Sequence, residues 1–503
     1  MIDIKDRVRN KDLHAKIVDA KEAAAIIKPG MNIGTSGFTP AGYPKAVPLA
    51  LAERMQQEKF QINLWTGASV GKELDGALAE ADGIHKRLPY QTNDSLRKLI
   101  NNGSVQYLDL HLSHVAQMAR YGYLGGKIDV AIVEACAITE EGHIVPTTSV
   151  GNSASFVQNA DIVIVEVNTA QPLALEGMHD VYVPADPPHR QPIPIVKVDD
   201  RIGTPYIPAG ADKITYIVPC DILDAVRPLA AIDDAAKAIS GNLIDFFNFE
   251  IKHGRLPKNL LPLQSGVGSV ANAVMAGMVH SPYQNLRVFT EVIQDGMFDL
   301  IDAGKLDFAS GTSLTPSPEG LKRLYDHLNE YRTKIVLRPQ EIANSPEVAR
   351  RLGIIAMNTA IEFDIYGHVN SSHIMGTKMM NGIGGSGDFA RNGYLSIFFS
   401  NSIAKNGDIS SIVPMCSHFD HTEHDVDVFI TECGIADVRG LSPKERARVI
   451  IRNCAHIDYQ PMLMDYLQRA EKATNFAHTP HLLAEALSWH TRFLETKSMK
   501  FKK

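Results

Sequence analysis

The sequence is short of cysteine and has no paired cysteine motif. Cys136, Cys220, Cys416, Cys433 and Cys454 are scattered, odd in number and without Cys-x-x-Cys spacing. That argues against a disulfide-built scaffold and points to reduced thiols in a cytoplasmic protein. No run approaches the roughly 18 apolar residues that a membrane span needs. No basic stripe is present either, and the formal net charge is −7, which argues against nucleic acid as a partner. The start, Met1-Ile2-Asp3-Ile4-Lys5-Asp6-Arg7, is charged and lacks the apolar core of a secretory signal. No segment is low in complexity.

What is there is an ordinary globular composition, 45% hydrophobic and 21% charged, over 503 residues. That length is too great for one core and implies two or more domains. Ala20 to Ile27 reads as a helix, and Lys28-Pro29-Gly30 stops it. Short apolar strands follow at 31–35, 128–134 and 162–167, alternating with helical stretches. Such alternation implies α/β layers with much parallel pairing. Seven prolines between Pro184 and Pro208 exclude a helix or a central strand there, leaving a long loop. An amphipathic helix is expected from Ala230 to His253, with Leu243, Phe246, Phe247 and Ile251 on its apolar stripe. The boundary therefore falls near residue 225, giving domains at 1–225 and 226–503.

The run Leu286 to Ile293 reads as a strand and contains Thr290-Glu291. A carboxylate there is costly to bury without a task or a partner. A second strand of similar shape, Ile62 to Gly67, carries Thr66-Gly67 at its end. One half has a carboxylate where the other has bare backbone. The halves match elsewhere. Ser36-Gly37 and Ser265-Gly266 each open a small-residue loop before a helical stretch. Gly151, Phe156 and Asn159 map onto Gly384, Phe389 and Asn392 with one constant offset, and an apolar strand follows each set. The pattern reads as an internal duplication.

Three constellations can carry chemistry. Gly266-Val267-Gly268-Ser269-Val270-Ala271 fits a loop opening a helix, whose free N–H groups can hold an anion or an oxyanion. Gly382 to Gly387 formally matches a dinucleotide loop. It lacks room for the long helix such a loop requires, so a glycine turn close to a ligand is the better reading. His418, His421 and His424 are spaced by three, as on one helix face, where neutral imidazoles could hold zinc. The strand that follows, Val426 to Glu432, would instead scatter them. Thr431-Glu432 repeats the Thr-Glu ending. A metal hydrolase on the histidines and a dinucleotide oxidoreductase on the glycines thus stand as alternatives.

Several stretches together resemble the acetyl-CoA hydrolase/transferase family, and within it the class I CoA-transferases. They are Ser36 to Gly42, Leu263 to Gly268, Thr290-Glu291, Arg338-Pro339-Gln340-Glu341-Ile342 with Asn344, Met380 to Phe389, and Thr431-Glu432 through Ala436 to Ser442. The likeness runs from about residue 15 to about residue 490. It implies two similar Rossmann-like CoA-transferase domains packed face to face, usually in a homodimer. It implies a glutamate nucleophile at Glu291 and a ping-pong reaction between succinyl-CoA and a short carboxylate, acetate first and propionate next. An acetyl-CoA hydrolase on the same scaffold is the companion expectation. By the same resemblance Val267 and Gly385 supply oxyanion N–H groups, and Asn344 and Glu432 line the carboxylate end. Gly266, Val267, Gly268, Ser269, Val270, Ile361, Asn381, Gly385 and Lys405 contact CoA. Ser269-Val270 departs from the Asn-Ile that members tend to carry. CoA is expected as a substrate, with no tightly bound cofactor, no metal, no nucleic acid and no membrane partner.

Overall fold

In a computed structural model the residues described are 3–501, so Met1 and Ile2 of the charged start lie outside them. Contacts divide the chain into two units. The first holds Met1–Pro228, Arg287–Asp302 and Leu306–Leu352, and the second holds Leu229–Leu286, Ala303–Lys305 and Gly353–Lys503. The first break falls close to the expected boundary, but the segment bearing Glu291 clusters with the N-terminal residues. The reason is a set of long-range pairings. Ser149 bridges Ser313, His179 bridges Leu337, and the Gln340 N–H donates to the Gly151 carbonyl.

The first unit is built on a seven-stranded parallel sheet. Its strands are β1 (Asn32–Thr35), β2 (Ile62–Trp65), β3 (Ile84–Leu88), β4 (Gln106–Tyr107), β5 (Val130–Ala135), β6 (Ile162–Asn168) and β7 (Tyr216–Cys220). They run in the order β4-β3-β2-β1-β5-β6-β7, every pair parallel. β5 is buried along its whole length and apolar except at Glu134, as suits a strand covered on both faces. The order reverses between β1 and β5, the place where α/β sheets bind ligands. The helix after β1, α1 (Ala46–Glu58), buries Val47, Leu51 and Met55.

The later strands repeat this plan. They are β8 (Leu263–Ser265), β9 (Leu286–Phe289), β10 (Leu306–Gly311), β11 (Ile335–Leu337), β12 (Ile355–Thr359), β13 (Leu395–Phe399), β14 (Val428–Thr431) and β15 (Gly434–Asp437). Within the first unit the order is β11-β10-β9, matching β4-β3-β2. Within the second it is β8-β12-β13-β14, matching β1-β5-β6-β7, with β15 added antiparallel at the edge. Val130 pairs with Ile162 and Ile355 pairs with Leu395. Ile162 and Leu395 stand at the same offset as Phe156 and Phe389. The duplication is therefore visible residue by residue.

Two local expectations change. The run Leu286 to Ile293 is not one strand: β9 ends at Phe289, and Val292–Ile293 pairs with Ser313–Leu314 in a separate small sheet. The helix expected from Ala230 starts at Asp234, because the Asp233 side chain accepts from the Ala236 N–H and caps it. The proline-rich stretch holds no helix or strand element. No helix among the described residues is long and apolar enough to cross a membrane.

Candidate active site

Glu291 sits where the chain leaves β9. Its backbone carbonyl accepts from the Thr312 N–H at 2.8 Å and the Ser313 N–H at 3.1 Å. Thr290, wholly buried, donates its N–H to the Ser310 carbonyl at 2.9 Å. These bonds fix the main chain on both sides of the glutamate. Its side chain is half-buried, and Asn344 Nδ2 donates to Glu291 Oε1 at 2.8 Å. A hydrogen bond to a charged oxygen is short and strong, so it orients the carboxylate. The next residue, Val292, packs with Phe38, Ala68, Leu112 and Tyr90, which keeps that flank apolar.

Asn344 is placed by the Arg338 to Ile342 motif. Arg338 is fully buried. Its Nε donates to Ser310 Oγ at 2.8 Å, and its guanidinium pairs with Asp180 and reaches the Val198 carbonyl. Burial pushes the guanidinium down to about 10, while Asp180 pulls the other way. Gln340 Nε2 donates to the Leu112 carbonyl at 2.9 Å, and Glu341 takes Arg120 at 2.8 Å and Arg190 at 2.9 Å. Residues 338–341 thus pin a short helical turn that ends at Asn344. The sequence marked this motif as a family feature without giving these residues a task. The available signal was a charge directly after a buried apolar strand, which needs a partner.

The second unit carries the glycine loops. After β8, residues 266–268 turn into α2 (Ser269–His280), and Gly268 has φ +113, a conformation that favours glycine. No protein group accepts from the Val267 N–H among the described residues. Val267, Gly268, Ser269 and Val270 line a cavity of about 410 Å³ with Thr359, Phe399, Asn401 and Ala404 among its other walls. Gly266 adjoins it on the chain. Ile361 follows the lining residue Ala360 and donates its N–H to the Asn370 carbonyl. Lys405 follows the lining residue Ala404, is exposed, and makes no ion pair among the described residues. Asn381 precedes the second glycine turn, and Gly385 is buried within it, one residue before α3 (Ser386–Ala390). That helix has five residues, too short for dinucleotide binding.

Glu432 has a task the sequence did not reveal. Its carboxylate accepts from the Ser402 N–H at 2.8 Å and from the Ser402 hydroxyl. It anchors the 400–404 segment that walls the cavity. The spaced histidines separate: His424 is exposed beside Glu423, His418 faces Asp420 at 3.4 Å, and His421 turns to Ser386. No cluster of three or more metal-ligating side chains occurs among the described residues.

A doubled parallel α/β plan, with glycine loops opening helices at the sheet's reversal point, is the CoA-transferase type of fold. A solved 4-hydroxybutyrate CoA-transferase from Porphyromonas gingivalis shares it with a TM-score of 0.63 at 21% identity, over 91% of this chain and 98% of that one. The chain belongs to the acetyl-CoA hydrolase/transferase family, whose N-terminal domain model matches residues 1–219 and whose C-terminal domain model matches residues 320–467. It is 58% identical to the succinyl-CoA:acetate CoA-transferase of Clostridium kluyveri, over 98% of this chain and 92% of that protein. It is 48% identical to the acetyl-CoA hydrolase of Candida glabrata, over 99% of this chain and 97% of that protein.

Proposed function

We propose that the protein is a CoA-transferase that moves CoA from succinyl-CoA to acetate through a glutamyl-CoA thioester at Glu291. The observation that carries this reading is the strand-end carboxylate: half-buried, held by Asn344, and fixed through its backbone by Thr312 and Ser313. The likeness to the Clostridium kluyveri enzyme supports the choice of acids.

The Glu291 carboxylate attacks the thioester carbonyl, forming a mixed anhydride and expelling CoA thiolate. The thiolate attacks the glutamyl carbonyl of the anhydride, giving enzyme-bound glutamyl-CoA and free succinate. Acetate then reverses both steps. The N–H groups of Val267 and Gly385 take the developing oxyanions. Gly266, Val267, Gly268, Ser269, Val270, Ile361, Asn381, Gly385 and Lys405 hold CoA, the lysine as a cation for phosphate. Asn344 orients the nucleophile, and Glu432 acts by anchoring Ser402. Each repeat, 1–225 and 226–503, is one CoA-transferase domain, the second bearing Glu291, and the working form is a cytoplasmic homodimer.

Hydrolysis is the second reading, favoured by the likeness to the Candida glabrata hydrolase. Rates of CoA release separate the two. Transfer requires slow release from succinyl-CoA alone, a rise of orders of magnitude with acetate, and parallel double-reciprocal lines. Fast release unchanged by acetate or propionate establishes the hydrolase instead.

A further inference from the structure

The histidine triplet takes no part in that reading, yet one of its members is placed with care. His421 is 2% exposed. Its main chain is fixed: its N–H donates to the Val369 carbonyl at 3.1 Å, and its own carbonyl accepts from the Val369 N–H at 2.9 Å. Its ring lies 4.9 Å from that of Phe398 on β13. Its Nε2 is 2.9 Å from Ser386 Oγ.

The same hydroxyl lies 2.7 Å from the Ile383 carbonyl. A hydroxyl has one proton, and a carbonyl has none to give. Ser386 therefore donates to Ile383 and accepts from His421, which assigns the ring proton to Nε2. Together the bonds close a loop across Ile383-Gly384-Gly385-Ser386. Gly384 stands at φ +60, and neither glycine has a side chain to pack. Gly385 is buried at the start of α3, and no protein group accepts from its N–H among the described residues.

We propose that His421 is a positioning residue: through Ser386 it holds the glycine turn so that the Gly385 N–H stays aimed at the reacting carbonyl oxygen. The inference rests on the oxyanion role given to Gly385 above. It accounts for a buried imidazole whose Nε2–H meets a hydroxyl rather than a metal. A misplacement of about 1 Å at a reacting group can cost about 100-fold in rate, and loss of one oxyanion donor costs about 100- to 1000-fold. A turn that is loosened rather than lost should fall at or below the lower figure.

Steady-state kinetics on the full chain tests it with four variants. His421→Leu keeps apolar volume and removes the donor. His421→Gln places an amide N–H at similar reach. Ser386→Ala breaks the relay at its middle, and the double variant breaks both bonds. The expected result is a fall in kcat of about 10- to 100-fold for His421→Leu, with the KM for succinyl-CoA within about threefold of wild type. His421→Gln should recover most of that loss. Ser386→Ala should lose as much as His421→Leu, and the double variant no more than either, because the two act as one unit. Should His421→Leu fail to fold, Ser386→Ala and His421→Gln carry the test. A kcat within twofold of wild type for Ser386→Ala overturns the inference, as does a glutamine variant no better than the leucine one at equal thermal midpoint. Turnover surviving Glu291→Ala would instead overturn the transferase reading itself.

Discussion

The two repeats put opposite contents at the same place in the fold. In the C-terminal repeat the crevice beside β8, β12 and β13 is a cavity lined by Thr359, Phe399, Asn401 and Ala404. In the N-terminal repeat, strand pairing and the Phe156/Phe389 offset put Glu134, Glu166, Asn168 and Gln171 at those four positions. All four are buried and spent on the protein itself. Residues 36–45 form a long loop before α1, against 266–268 before α2, and the longer loop brings Tyr43 and Lys45 inside. Lys45 pairs with Glu134 and, at 3.0 Å, with Asp224. Asn168 Nδ2 donates to Glu134 at 2.9 Å. Glu166 accepts the N–H groups of Lys45, Ala46 and Val47 at 2.7 to 2.9 Å, so a side-chain carboxylate caps α1. No side chain caps α2, whose first residues face the cavity. One crevice is filled from within, and the other is an open cavity. On the proposed reading, duplication allowed the first to become scaffold while the second kept the chemistry.

The strand ends tell the same story. At Gly67 an added Cβ would lie 2.4 Å from the Gly37 carbonyl oxygen, so no side chain fits there. At Glu291 there is room and a partner, Asn344.

The comparison can be broken most severely by making the second end copy the first. Glu291→Gly should fold and lose activity by a factor on the order of 10⁴, since no other carboxylate can form the anhydride. Folded protein with near-wild-type turnover would show that the two ends do not differ in the way claimed.

The next effect lies in the filled crevice and reads as stability. Burial pushes the Glu134 carboxyl up to about 7, against the pull of Lys45. An acid whose pKa is higher folded than unfolded binds more protons when folded. Its contribution is therefore full below the unfolded value near 4.5 and is lost as pH rises towards 7. Glu134→Gln keeps the neutral shape and removes that slope. The variant should gain on wild type as pH rises above 4.5. Parallel thermal midpoints across that range would contradict it.

Asn344→Ala should lower kcat by about 100-fold while leaving the KM for succinyl-CoA little changed, since it frees the nucleophile without touching the cavity. A pure KM effect in the rate data would place Asn344 elsewhere in the reaction. The smallest effect is expected at Gly67→Ala, a loss of about 2 kcal/mol from the clash with Gly37, with no new activity. An unchanged unfolding midpoint would mean that the N-terminal end tolerates a side chain after all.

Much of this was legible before the fold. The strand-end Glu291, the loop at 266–268 leading into a helix, and the constant offset between repeats all follow from local pattern and spacing. The buried partners did not. Arg338 and Asp180, or Lys45 and Glu134, are far apart in the chain, and nothing local says which opposite charge each will meet. The 286–293 run looked like one strand because its residues favour strand throughout; the break at Thr290-Glu291 comes from N–H groups at Thr312 and Ser313, which periodicity does not see. The histidine spacing suggested a helix face, but His418 to Asp425 forms no helix, and the glycine turn claims His421.

The central claim is that Glu291 becomes covalently joined to CoA. Incubation with succinyl-CoA in the absence of acetate, reduction with borohydride, and peptide mass analysis test it directly. The account predicts one modified peptide, with the Glu291 side chain reduced to an alcohol and its yield lowered by excess acetate. No modified peptide, or an adduct on Cys433 beside Glu432, would contradict it.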